Sequence, residues 1–119
     1  VQRLSPQEMA DLFEIREVLE GHAARRAAER IGEGDRRRRF SAMWERVRRG
    51  DPGDRAAFIA SNQLFHATIV EIAGNTRLPD MLDRLQIPIL MFQWRTLLTR
   101  QETALSQAEH ETIAKAILE

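Results

Sequence analysis

A short stretch of the chain places two chemically capable side chains on one helical face. Asn62 and His66 are four residues apart, so a helix would set a carboxamide and an imidazole side by side. A neighbouring face carries Phe65, Ile69 and Ile72, which must be buried. Buried polar groups need partners. The pattern therefore predicts either a hydrogen-bonded polar pair or the edge of a ligand site.

A second imidazole comes from a distant part of the sequence. His110 falls on the same helical side as Ile113, Ala114 and Ile117, which places it on or beside a core-facing stripe. Two imidazoles and the carboxamide of Asn62 are ligands for a borderline divalent metal. The spacing alone favours histidines that are hydrogen-bonded within the core. If the two imidazoles do meet in one cavity, they predict a small-molecule or metal site.

Two arginines lie beside apolar segments. Arg16 and Glu20 form an i,i+4 pair next to an apolar stripe, and either a surface ion pair or an arginine lining a pocket fits that spacing. Arg100 follows the most apolar segment of the chain. An arginine that points inward needs an anion. Arg16 and Arg100 are therefore candidate contacts for an anionic ligand.

The composition predicts a single all-α domain over residues 1–119. The 119 residues are rich in good helix formers and contain no cysteine, so neither disulfides nor thiolate metal sites are expected. Lys+Arg and Asp+Glu are equal at 18 each, which gives no argument for nucleic-acid binding by this segment. No apolar run is long enough for a membrane span, and no signal-like start is present. We expect a cytoplasmic protein without membrane contact.

Helix start signals divide the first half of the chain. Ser5 and Glu8 form a capping box, and Asp35 and Asp54 are predicted to cap the second and third helices. The run Arg36–Arg39 points around the whole axis and predicts a solvated helix start. The apolar stripe of the first helix consists of Met9, Leu12, Ile15, Leu19, Ala23 and Ala27.

The second half contains the helix with the candidate site and two further segments. The third helix is predicted over about 55–73, closed by Gly74, and a fourth begins near Leu78. Pro88 predicts a kink or break near residues 86–87. A second capping box at Ser106 predicts the start of the last helix. The sequence stops at Glu119 without a closing signal, which suggests truncation of that helix.

Three segments together resemble a known family. Residues 11–20 resemble the family's opening helix, "hydrophobic-x-x-Arg-x-x-Leu-Glu". Residues 58–75 resemble its central signature, "Asp-x-x-Phe-His…Ala-Gly-Asn". Residues 106–117 resemble its third signature, "Ser-x-x-Glu-His-x-x-Ile". In this order they resemble the C-terminal effector-binding (FCD) domain of FadR-type regulators in the GntR superfamily. The resemblance runs from about Met9 to Glu119.

The resemblance implies a fold and a class of function. The fold is an antiparallel bundle of six helices in this chain and seven in the intact domain, truncated here at the C-terminus. Such a domain senses a small molecule, often a carboxylate, and forms a homodimer. It controls a winged helix-turn-helix domain on its N-terminal side, which this chain lacks. Contact with DNA would therefore occur only through that missing domain.

The resemblance also implies roles for particular residues. Many members hold a zinc, nickel or manganese type of ion with an Asp and three His, whereas some branches bind organic ligands without metal. Asn62 falls at the Asp position, His66 and His110 match two histidines, and the third lies on a final helix that this chain lacks. Arg16 matches a pocket-facing arginine that pairs with an effector carboxylate. The alternatives are a helical dimerisation or interaction module and, more distantly, a metal-dependent enzyme.

Overall fold

The chain is all-α in a computed structural model that describes residues 5–50, 53–85 and 100–119, without the side chains of residues 55 and 100–107. Within those ranges there are five helices and no strand, which confirms the predicted fold class. The predicted break near residues 86–87 lies outside the described residues. The helices are α1 (Pro6–Arg30), α2 (Arg36–Val47), α3 (Arg55–Ala73), α4 (Leu78–Arg84) and α5 (Arg100–Leu118).

Two of the predicted helix caps are formed. At the start of α1 the Ser5 hydroxyl accepts a hydrogen bond from the Glu8 backbone N–H at 3.1 Å, and the Glu8 carboxylate accepts one from the Ser5 N–H at 3.2 Å. The Asp54 carboxylate accepts from the Ala57 N–H at 3.1 Å at the start of α3. These caps pair backbone donors that the first turn of a helix leaves without an intrahelical partner.

One predicted side-chain cap is not formed, and one predicted helix start is wrong. Asp35 precedes α2 with φ −97° and ψ 13°, outside the extended conformation of most capping residues, and makes no side-chain cap. Its carboxylate lies 3.7 Å from the guanidinium nitrogens of Arg38 and Arg39 instead. Ser106 lies inside α5, which already begins at Arg100. The residues between Arg100 and Ser106 contain no helix breaker, so the helix extends through them.

The core lies where α1 packs against α3 and α5 and where α2 packs against α3. The predicted stripe of Phe65, Ile69 and Ile72 is buried, as are Ala114 and Ile117 of α5. The stripe of α1 is only partly correct. Within the described residues Ala23 and Ala27 are fully buried, whereas the Ile15 side chain is 50 % exposed. None of the described helices is long and apolar enough to cross a membrane.

The arginine run at the start of α2 is largely exposed, as predicted, yet two of its members contact other helices. Arg37 donates a hydrogen bond to the backbone carbonyl of Leu118 at 2.6 Å, near the C-terminal end of α5. Arg39 forms an ion pair with Glu71 of α3. A cation at the C-terminal end of a helix interacts favourably with the helix dipole and with carbonyls that lack an intrahelical partner. Two of the four arginines therefore connect α2 to other helices.

Gly74 ends α3 in the left-handed conformation that its position predicts, with φ +72°. We expect Gly74→Ala to lower the free energy of unfolding by about 1–2 kcal/mol, because L-residues are strained there. A Cβ would also lie 2.6 Å from a guanidinium nitrogen of Arg30, which would have to move. Urea denaturation measures the loss. Gly32→Ala is the control, since it meets no atom within 4 Å and has no positive φ. Equal losses in both variants would contradict the strain at Gly74.

Candidate functional site

Helices α1, α3 and α5 line a partly open cavity of about 500 Å³ that combines an apolar wall with a group of polar side chains. The polar group, called the polar cluster below, consists of Arg16, Glu20, Asn62, His66 and His110. The apolar wall is formed by Phe13, Phe58, Ile69, Val70 and Ile113. A mostly apolar cavity with a few convergent polar groups is typical of small-molecule sites.

The first part of the polar cluster is a chain of contacts from α1 to α3. The Arg16 Nε–H donates to Oε1 of Glu20 at 3.1 Å, one helical turn along α1. The other Glu20 oxygen, Oε2, lies 3.2 Å from Nδ1 of His66 on α3. Arg16 is buried, with 6 % of its surface exposed. A guanidinium remains charged in proteins, so Glu20 supplies a nearby counter-charge that its burial requires.

The second part is a group of aromatic rings at the contact of α3 with α5. The rings of His66 and His110 meet edge to face, with 5.2 Å between their centroids. Phe65 stacks on His110 at 4.4 Å and meets His66 edge-on at 5.4 Å. Phe65 is fully buried, and His110 is 5 % exposed. The core packing of Phe65 therefore fixes the relative positions of the two imidazoles.

Burial sets the charge of the imidazoles. It lowers the pKa of His66 to about 4, with a further lowering by the charge of Arg16. It also lowers the pKa of His110 to about 4, with smaller contributions from His66 and Arg16. Both rings are therefore neutral at pH 7, the form in which an imidazole accepts a hydrogen bond or binds a metal.

Glu20 experiences two opposing influences. Burial raises the pKa of the Glu20 carboxyl, because the charged form loses hydration. The charge of Arg16 and its hydrogen bond to the carboxylate lower that pKa. Burial has the larger effect, so the pKa of Glu20 lies above its ordinary value.

The polar cluster offers only part of a metal site. Across residues 5–50, 53–85 and 108–119, no group of three or more His, Cys, Asp or Glu side chains is arranged to hold an ion. Two neutral imidazoles and the Asn62 carboxamide are suitable but incomplete ligands. The divalent metal expected from the sequence thus stays a prediction.

A second cavity, of about 430 Å³, lies on the α4 side of the same polar side chains. Its walls include Pro79 and Leu82 of α4, and it shares four members of the polar cluster with the first cavity: Arg16, Glu20, Asn62 and His66. The polar side chains of α1 and α3 thus lie between the two cavities. His110 lines the first cavity and not the second.

The structure brings together four of the five ligand residues expected from the sequence. Arg16, Asn62, His66 and His110 line one cavity, although they come from three helices. The side chain of Arg100 lies outside the described part of the molecule. Glu20 is a member of the cluster that the sequence did not single out as a site residue. Two signals were present for it. It lies one turn after Arg16, which fits a surface ion pair equally well, and it is the Glu of the "Arg-x-x-Leu-Glu" pattern.

Comparison with known proteins gives one match. The family model of the FCD domain matches residues 11–119, nearly the whole chain. No curated protein and no solved structure matches the chain at a significant level. The matched range includes every member of the polar cluster.

Proposed function

The chain belongs to the FCD domain family, the C-terminal effector-binding domains of GntR-type regulators, and on this premise we propose that it senses a small carboxylate. The ligand binds in the cavity between α1, α3 and α5. The single observation that supports this most is the presence of buried Arg16 together with Asn62, His66 and His110 on the wall of one cavity. A buried guanidinium favours a carboxylate, which it can bind through paired charge-assisted hydrogen bonds.

Binding would act on the relative positions of the helices. The cavity takes its walls from α1, α3 and α5, so a ligand in contact with all three favours the helix arrangement in which those contacts are best. Ligand affinity that differs between two arrangements is what couples a sensor to a distant site. In this proposal the coupled site is a winged helix domain attached to each copy in a cytoplasmic homodimer. Contact with DNA belongs to that domain.

A divalent ion is the optional part of the proposal. Asn62, His66 and His110 would hold it, and its remaining coordination positions would be open to other ligands. A bound ion would supply positive charge for the carboxylate of the effector. Neutral imidazoles fit this role, because protonated ones cannot bind a metal.

Replacement of Arg16 tests carboxylate sensing. We expect Arg16→Gln to weaken carboxylate binding by roughly 10- to 100-fold, the loss of one charge-assisted hydrogen bond of about 1.5–3 kcal/mol. Isothermal titration with a panel of C2–C6 mono- and dicarboxylates and the matching neutral amides measures the effect. Arg26→Gln is the control, since Arg26 pairs with Glu29 on an exposed part of the same helix.

The outcomes separate the proposal from its alternatives. A carboxylate that binds equally well to Arg16→Gln and to the parent chain would contradict the role of Arg16. The absence of binding by the whole panel, with and without zinc or manganese, would favour a helical interaction module. Turnover of a ligand that a chelator abolishes would favour a metal-dependent enzyme. FCD domains are regulatory, so we propose that the cavity binds its ligand without converting it.

A further inference from the structure

The contact between Glu20 and His66 determines which nitrogen of His66 is available to a ligand. One Glu20 oxygen accepts from the Arg16 guanidinium, and the other lies 3.2 Å from His66 Nδ1. An ionised carboxylate has acceptors but no donor. An unprotonated Nδ1 at 3.2 Å from that oxygen would set two lone pairs against each other, which favours the proton on Nδ1. In a neutral imidazole the second nitrogen then has a lone pair and no hydrogen.

We infer that Glu20 is a positioning residue that holds His66 in the Nδ1–H tautomer and so presents the Nε2 lone pair to a ligand. The ring of His66 lines both cavities, and Nε2 has no hydrogen-bond partner among residues 5–50, 53–85 and 108–119. The outer partner of a ligating imidazole commonly fixes its tautomer and orientation. Arg16 stabilises the ionised form of Glu20 and so takes part indirectly.

This inference rests on the proposed function and narrows the class of ligand. A lone pair at Nε2 needs a hydrogen-bond donor or an electron-pair acceptor, and a simple carboxylate is neither. The cation of Arg16 suits a carboxylate, while His66 suits a hydroxyl group or a divalent ion. Arg16 and His66 both contact Glu20, so the two subsites are adjacent. We therefore assign the site to carboxylates that carry a hydroxyl group, or to carboxylates bound together with a metal ion.

The tautomer is measured directly by long-range ¹⁵N–¹H NMR of the histidine-labelled chain at pH 7.5 with EDTA. The His66 signals, identified by their loss in His66→Gln, should show a protonated Nδ1 and an unprotonated Nε2. Glu20→Leu should convert His66 to the Nε2–H form. Glu20→Gln should do the same, because its single amide oxygen stays with the Arg16 guanidinium and its –NH2 group then faces Nδ1. Glu17→Leu is the control, because Glu17 lines the same cavity one turn earlier on α1.

The spectra of the ligand-free protein are sufficient to determine the tautomer of His66. A protonated Nε2 in the parent chain, or an unchanged spectrum in Glu20→Leu, would overturn the assignment of Glu20 as a positioning residue. If Glu20→Leu does not fold, the spectra of the parent chain and of Glu20→Gln still decide. A different tautomer would leave carboxylate sensing intact. The expected tautomer without any carboxylate binding would instead overturn the proposed function alone.

Two further titrations identify what the lone pair binds. The first compares 3-hydroxybutyrate with butyrate in EDTA, and a shift of the His66 Nε2 signal with the hydroxy acid alone assigns a hydroxyl donor. The second adds zinc without carboxylate, and a shift at His66 then assigns the ion. If neither probe moves the Nε2 signal, the assignment of Nε2 as a ligand contact is wrong. The same titrations of Glu20→Leu should lose the shift.

Discussion

Phe65→Ala is expected to lower the free energy of unfolding by about 3–5 kcal/mol, the usual cost of a cavity left by a buried aromatic ring. Phe65 is fully buried and packs against four other rings: Phe40, Trp44, His66 and His110. Its removal deletes both the buried apolar surface and the surface on which His110 stacks. Urea denaturation followed by circular dichroism measures the loss, provided the transition remains two-state.

A conservative change at the same position separates packing from ring geometry. Phe65→Leu fills most of the volume and should cost less than about 2 kcal/mol. It removes the flat ring on which His110 stacks at 4.4 Å, so the NMR signals of His110 should move in this variant as well. Equal destabilisation by alanine and leucine would show that volume at this position is unimportant. An unchanged His110 signal would show that the stack does not hold the imidazole.

The parts of the fold that depend on the spacing of neighbouring residues were predictable from the sequence. The spacing of Phe65, Ile69 and Ile72 gave the buried face of α3, because a period of three to four residues leaves one side of a helix apolar. The closing residue Gly74 and the capping box at Ser5 were equally local. The same periodicity set Asn62 and His66 on one face, and both line the cavity.

The parts that depend on contacts between distant segments were not predictable from spacing. The apolar stripe of α1 includes Ile15, yet the Ile15 side chain is half exposed. A stripe shows which side chains a helix is able to bury, but it does not show which other helix packs against them. The spacing in the sequence predicts that Glu20 pairs with Arg16, but one of the Glu20 oxygens also lies close to His66 on another helix. Sequence spacing could not show which helix packs against that face of α1. The tautomer of His66 depends on this contact.

As the pH falls, the folded chain is expected to lose stability at a higher pH than the loss of its surface ion pairs alone would cause. The pKa of both His66 and His110 is about 4 in the folded chain, against an ordinary value of 6.5 for histidine. Between these values the unfolded chain binds protons that the folded chain does not, so stability falls as the pH drops from about 6.5 toward 4. The raised pKa of Glu20 acts in the opposite direction, because its folded form takes up a proton first. Arg16 stays charged throughout and opposes protonation of both rings.

The loss between pH 7.5 and pH 5 should reach roughly 2 kcal/mol for each imidazole, less whatever Glu20 offsets. Urea denaturation at both pH values, in EDTA, measures it. The double variant His66→Gln and His110→Gln should lose most of this dependence, since glutamine does not titrate. Phe40→Leu is the matched control. Phe40 is buried against Phe65 and makes no ring contact with either imidazole among the described residues, so the stability of this variant should be lower than the parent's by a similar amount at each pH. A parent chain as stable at pH 5 as at pH 7.5 would show that the two imidazoles are not desolvated in the folded state.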